Sequence, residues 1–294
     1  MELAHRIRIT FAVAIAVAGA GVIHAADGVA GGGPLLPDLR TLPALGNPWL
    51  DLTQSKKKLV LHLSNRIGNH GPGPLELFAG PPDDGCTDDG QYPGDDLEAD
   101  QRIFDDTNAN GHFDPGSDEV DQEVQVGCFE FHPAHNHWHY QDFAQYSLVD
   151  VHSDELVAGP SKKIGFCILD GDDLAWDDDH DGASDLPGSP TSPVYPGSPG
   201  GCGQGQSTTG PTSMGLSVGY ADIYTYYLPG QRLEITGIDK GVYCLVSKAN
   251  PDHGEVGEPQ IEEGDDTNNT RRTRIRINPE SMKVVDLDRG CSAP

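Results

Sequence analysis

The chain is 294 residues long, enough for one large domain or two small ones. With 46 acidic against 19 basic residues the formal charge is −27, which excludes a nucleic-acid backbone or an anionic membrane surface as partner. An apolar content of 36% with 37 glycines and 23 prolines, aperiodically placed, excludes a collagen, a coiled coil and a multi-span membrane protein.

The N-terminus reads as a secretory signal. His5, Arg6 and Arg8 precede the apolar run Ile9 to Ile23, and Ala25 offers a small residue for cleavage. That run is short for a membrane span. The domain plan is therefore a signal peptide over 1–25, an extended Gly/Pro-rich lead-in over 26–48, and one folded domain over 49–294. The mature protein is expected to be secreted, extracellular or periplasmic, with no membrane span. Export makes the even set Cys86, Cys128, Cys167, Cys202, Cys244 and Cys291 candidates for disulfides. Six cysteines allow 15 pairings, and sequence does not choose among them.

Short β-type runs follow, separated by turn signals. Leu59 to Leu63 alternates, and Ile164 to Leu169 is continuous; Leu233 with Ile235, Val242 to Val246, and Arg272 to Ile277 continue the series. No window sustains a 3.6-residue period. The expected fold is mainly β, an antiparallel β-sandwich-like core with long irregular loops. Two acidic interruptions, at about 83–121 and 171–211, read as loop insertions.

Both insertions contain oxygen-rich repeats. Asp106, Asn108, Asn110, Gly111 and Asp114 occupy positions 1, 3, 5, 6 and 9 of a calcium loop; Asp177, Asp179, Asp181, Gly182 and Asp185 do the same. The position-12 glutamate is replaced by Ser117 and Gly188. A solvated acidic loop is the alternative reading.

The densest chemical signal is Phe131-His132-Pro-Ala-His135-Asn-His137-Trp-His139-Tyr140. Alternate residues of a strand share a face, and imidazoles on one face can converge on one ion. All-nitrogen ligation suits copper, zinc, iron or nickel and disfavours calcium or magnesium.

This segment resembles the copper-binding stretch of lysyl oxidases. Weaker pieces agree with that family in order: Leu36-Pro-Asp-Leu39, Ser64-Asn-Arg-Ile-Gly-Asn69, Gly71-Pro-Gly-Pro-Leu75 and Lys163-Ile-Gly-Phe-Cys167. Gln204-Gly205, Asp222-Ile-Tyr224, Gln231-x-x-Glu-Ile-Thr236, Gly241-x-Tyr243 and Glu263-x-Asp265-x-x-Asn268-Asn269 complete the series. The likeness covers roughly 36–278 and makes 49–294 a lysyl oxidase-like catalytic domain. Ala134 stands where animal members carry a cysteine, so at least one of their disulfides is absent.

The resemblance implies copper(II) on His135, His137 and His139, with His132 unassigned. It implies a structural calcium on Asp38, the Leu39 carbonyl, Glu263, Asp265, Asn268 and Asn269. It further implies a lysine tyrosylquinone cofactor built from Lys163 and Tyr224, with Lys162, Tyr226 and Tyr227 as register alternatives. The implied activity is oxidation of primary amines, either peptidyl-lysine or small amines, by molecular oxygen. Asp142 is the candidate general base. Two other classes compete: a secreted calcium-binding structural or adhesion protein of the same fold, and a zinc hydrolase, for which no His-Glu-x-x-His motif exists.

Overall fold

The computed structural model describes residues 32–79, 86, 96–133, 136–162, 164–174, 186–190, 193–195, 201–205, 212–252 and 261–291. The signal segment, Ala134, His135, Lys163 and the Asp177–Asp185 repeat lie outside the described residues. Among the described residues there is no α-helix, and the fold is mainly β.

In chain order the strands begin with β1 (Pro34–Leu35), β2 (Leu39–Thr41), β3 (Leu50–Ser55), β4 (Lys58–Leu63), β5 (Asn65–Asn69) and β6 (Leu75–Ala79). Next come β7 (Asp96–Asp105), β8 (Glu119–His132), β9 (His137–Asp150), β10 (Leu156–Ala158), β11 (Ile164–Phe166) and β12 (Asp172–Asp173). The last are β13 (Thr212–Leu216), β14 (Tyr220–Tyr224), β15 (Arg232–Glu234), β16 (Gly241–Ala249), β17 (Thr270–Asn278) and β18 (Lys283–Gly290). The main sheet runs β13-β6-β7-β8-β9-β16-β17-β18, with β1 on β7 and with β10 and β11 on β9. Smaller sheets β12-β14-β5-β2 and β15-β4-β3 accompany it. Every strand pair is antiparallel.

One expectation needs correction. Part of the first acidic interruption is strand: Asp96–Asp105 forms β7, between β6 and β8. Its acidic residues mask an alternation in which Leu97, Ala99, Gln101 and Ile103 are buried. Likewise only Ile164–Phe166 of the Ile164 to Leu169 run pairs as strand.

The core is aromatic around β9. Trp138, Tyr140, Phe143 and Tyr146 are fully buried, joined by Phe129 and Phe166. Rings meet edge-on, Phe131 with Trp138 at 5.3 Å and Phe143 with Phe166 at 5.4 Å, the geometry that ring quadrupoles favour. Because β9 buries Trp138 and Tyr140, it turns His137 and His139 to its opposite face.

The Gly71-Pro-Gly-Pro-Leu75 segment is explained by close approach. A Cβ on Gly71 would sit 2.4 Å from the Leu36 carbonyl oxygen, and one on Gly73 2.1 Å from that of Leu35. The N-terminal strap Pro34–Thr41 lies against these glycines. Asn69 fastens it: its Oδ1 accepts the Asp38 and Gly71 N–H groups at 3.1 and 3.0 Å, and its Nδ2 donates to the Gly73 and Leu216 carbonyls.

Disulfides join Cys86 to Cys128, Cys167 to Cys202 and Cys244 to Cys291, leaving no free cysteine. No helix among the described residues is long and apolar enough to cross a membrane.

Candidate functional site

Strands β8 and β9 form the histidine site. The register sets His132 opposite His137 and Glu130 opposite His139. The His137 and His139 Nε2 atoms lie 3.0 Å apart, and the His132 ring centroid is 5.5 Å from that of His139. Two nitrogens each roughly 2.0–2.1 Å from one ion, at near a right angle, lie about 2.9 Å apart. The pair therefore fits an imidazole-bound first-row metal, or a proton shared between the two rings. No three His, Cys, Asp or Glu side chains among the described residues converge as a metal cluster, and His135, the remaining ligand implied by the resemblance, lies outside them.

His132 and His139 face an open cleft of about 1030 Å³, whose walls also include Glu130, Gln141, Lys162 and Arg232. Glu130, which sequence reasoning missed, is the carboxylate beside the imidazoles. Its signal was its place two residues before His132, on the same strand face. The side chain of Gln141 donates to Glu130. Asp142 does not line the cleft. It occupies the left-handed region (φ 59°) where three β9 residues, Gln141 to Phe143, oppose the single β11 residue Gly165, a bulge that interrupts the alternation.

Tyr224 ends β14 and is partly buried. Its ring centroid is 3.9 Å from that of Phe166, and its phenol oxygen accepts the Cys167 N–H at 2.6 Å. Burial, and then the charge of Asp222, push its pKa well above the usual phenol value. Phe166 pairs with Tyr140, next to His139, so Tyr224 is seated on the segment that follows Lys163 in sequence. It does not itself line the cleft. Tyr227 is 71% exposed, and Lys162 is an exposed cleft residue.

A second constellation gathers where the strap meets the turn before β17. Glu263 accepts the Leu39 N–H at 2.6 Å and the Asn250 and Asn269 side chains at 2.6 and 2.8 Å. Asp265 accepts from Thr267 and Asn268. Asp38 Oδ1, Asn268 Oδ1 and Asn269 Oδ1 are buried without a hydrogen-bond partner. Buried oxygens are rarely left unpaired, and a hard cation takes this donor type. Burial raises the Glu263 pKa from 4.5 to about 7, and the nearby Asp38 adds to the rise.

The loop from Asp106 closes differently. Asp106 accepts the N–H groups of Asn110 and Gly111 at 3.0 and 2.8 Å. Asp118, one position beyond the expected glutamate, accepts those of Thr107 and Asp114 at 3.0 and 2.7 Å. Asn108 Nδ2 reaches Ser117 Oγ at 3.0 Å.

An antiparallel β domain thus sets a close imidazole pair beside an open cleft. Residues 201–287 match the family model described as lysyl oxidase, in agreement with the resemblance stated from the sequence. The matched part contains Tyr224, Gln231 and the Glu263–Asn269 turn, and lies C-terminal to the histidines. No curated protein matches the chain.

Proposed function

We propose that the protein is a secreted copper-dependent amine oxidase of the lysyl oxidase type. The observation that carries this reading is the 3.0 Å approach of the His137 and His139 Nε2 atoms, with His139 on the wall of an open cleft. The net reaction is RCH2NH2 + O2 + H2O → RCHO + NH3 + H2O2. Copper(II) is held by His137 and His139 with His135, and His132 stands close enough to orient the set. A lysine tyrosylquinone derived from Lys163 and Tyr224 would supply an electrophilic carbonyl for primary amines. Glu130, directly across from His139, is the carboxylate in place to take a proton in the cleft; Asp142 is the other candidate base. Calcium is proposed on Asp38, Leu39, Glu263, Asp265, Asn268 and Asn269, with the Asp106–Asp114 loop as a further candidate.

The test is copper loading of the exported protein followed by peptide mapping and metal analysis. The regions containing Lys163 and Tyr224 should appear as one cross-linked species. Lys163→Ala and Tyr224→Phe should abolish amine-dependent peroxide release with copper retained, and His137→Ala should lose copper too. Zinc in place of copper in the active protein, or activity without a cross-link, would sink this reading.

A further inference from the structure

The walls of the cleft carry a charge balance opposite to that of the chain. Acidic residues outnumber basic ones 46 to 19 overall, yet the cleft presents Lys58, Lys162 and Arg232 against Glu130 and Glu234. Lys58 and Glu234 neutralise one another at 2.7 Å, and Glu130 takes the side-chain amide of Gln141. Lys162 and Arg232 are exposed and have no ion pair or side-chain hydrogen bond with any described residue.

Backbone packing sets these two residues across from each other. A Cβ on Gly159 would stand 3.1 Å from Leu233 Cδ1, and one on Gly230 2.9 Å from Ile164 Cγ2. The 159–164 and 230–233 segments therefore pass each other in opposite directions, and Lys162 and Arg232 fall between the two contacts. Both residues line the same cleft. A Cβ on Gly165 would lie 3.3 Å from His139 Cβ, so Lys162 is within about 10 Å of chain from the histidine strand. Two unpaired cations at one rim repel each other and repel a simple alkylammonium. A carboxylate set between them removes both penalties, and the guanidinium fork can hold it through two hydrogen bonds.

We propose that Lys162 and Arg232 form an anion-recognition rim through which the cleft selects primary amines that also carry a carboxylate. The amine reaches toward the histidines while the carboxylate stays between the two cations. That chemistry belongs to a small ω-amino acid and equally to a lysine beside an acidic residue in a peptide. The inference rests on the amine-oxidase reading for the fate of the amine, whereas the anion rim stands on the cleft alone. The −27 charge of the chain acts at long range on the ammonium, and this pair acts at contact on the carboxylate.

The experiment compares four amines by peroxide release from the copper-loaded full protein. They are 6-aminohexanoate against hexylamine, and an acetylated Glu-Lys amide against its Gln-Lys counterpart. In at least one pair the carboxylate form should have a kcat/KM higher by about tenfold, through KM rather than kcat. The pair that shows it identifies the source of the carboxylate. Arg232→Gln should erase that preference, and Arg232→Lys should keep most of it. Calorimetry with 6-hydroxyhexanoate, which has no amine to oxidise, gives a readout independent of turnover. The wild type should bind it about tenfold more tightly than the Lys162→Gln/Arg232→Gln double variant. No carboxylate preference in either pair, or equal binding of 6-hydroxyhexanoate by wild type and double variant, overturns the proposal. A copper-loaded protein that oxidises none of the four amines removes the oxidase reading, and the calorimetry still decides the anion rim.

Discussion

The Tyr224 phenol oxygen and the Cys167 backbone N–H are 2.6 Å apart, so the ring is held by main chain rather than by a mobile side chain. Cys167 is also bridged to Cys202, and two residues past the 3-10 turn that contains Cys202, the Gly205 N–H donates to the Asn136 carbonyl at 3.0 Å. Asn136 stands between His135 and His137. One disulfide thus ties the tyrosine's seat to the histidine turn.

Replacing Cys167 and Cys202 together by Ser should destabilise the fold by roughly 2–5 kcal/mol. It should also weaken copper binding about tenfold. Replacing Cys244 and Cys291 should lower the melting temperature with copper affinity unchanged. Thermal unfolding and copper titration of both pairs check this, and equal copper affinity in all forms would remove the mechanical link.

Calcium removal should destabilise the protein in a pH-dependent way. In the metal-free protein the Glu263 pKa is raised from 4.5 to about 7. The native state then holds a proton that the unfolded state has lost between those values, so stability falls as pH rises through that window. The full loss approaches roughly 3 kcal/mol for a shift of this size. Calcium, which favours the ionised carboxylate, should flatten or reverse that slope. Melting curves between pH 4.5 and 7.5, with calcium and with a chelator, should diverge most at the upper end.

The two candidate bases separate by position. Glu130 lines the cleft beside His139, whereas Asp142 sits in the β9 bulge and does not line it. Glu130→Gln should lower kcat by about 10²-fold or more, in the range typical of a lost general base. Asp142→Asn should stay within severalfold. Copper content and quinone absorbance serve as controls, and the reverse ranking would reinstate Asp142.

Salt should act on approach and not on chemistry. The −27 charge draws protonated amines from a distance, while Lys58, Lys162 and Arg232 stand on the cleft wall. Raising ionic strength should therefore reduce kcat/KM for diamines and leave kcat unchanged. A neutral-bodied monoamine should respond less. Identical responses would dismiss long-range steering.

Much of this was legible because alternation survives in sequence. The Leu59–Leu63, Val242–Val246 and Arg272–Ile277 runs became β4, β16 and β17. His137 and His139 share a face for the same reason. β7 was hidden because its outward positions are acidic enough to imitate a solvated loop. Glu130 was hidden because its relation to His139 is a cross-strand register, set by the turn between β8 and β9 rather than by local composition. The bulge at Asp142 was equally unreadable, since one left-handed residue leaves no compositional mark.

The strap from Pro34 to Thr41 has a consequence for the order in which the chain is made. Its partners are the Gly71–Gly73 segment, β7, and residues as distant as Glu263 and Asn269. The first part of the folded domain to leave the ribosome is thus among the last to be fastened, because such distant contacts wait for loop closure. A nascent chain stopped before the Glu263–Asn269 turn lacks those two anchors and holds its beginning only through Asn69, β5 and β7. Truncation from the C-terminal side should loosen the N-terminal strap before it disturbs the aromatic core around β9.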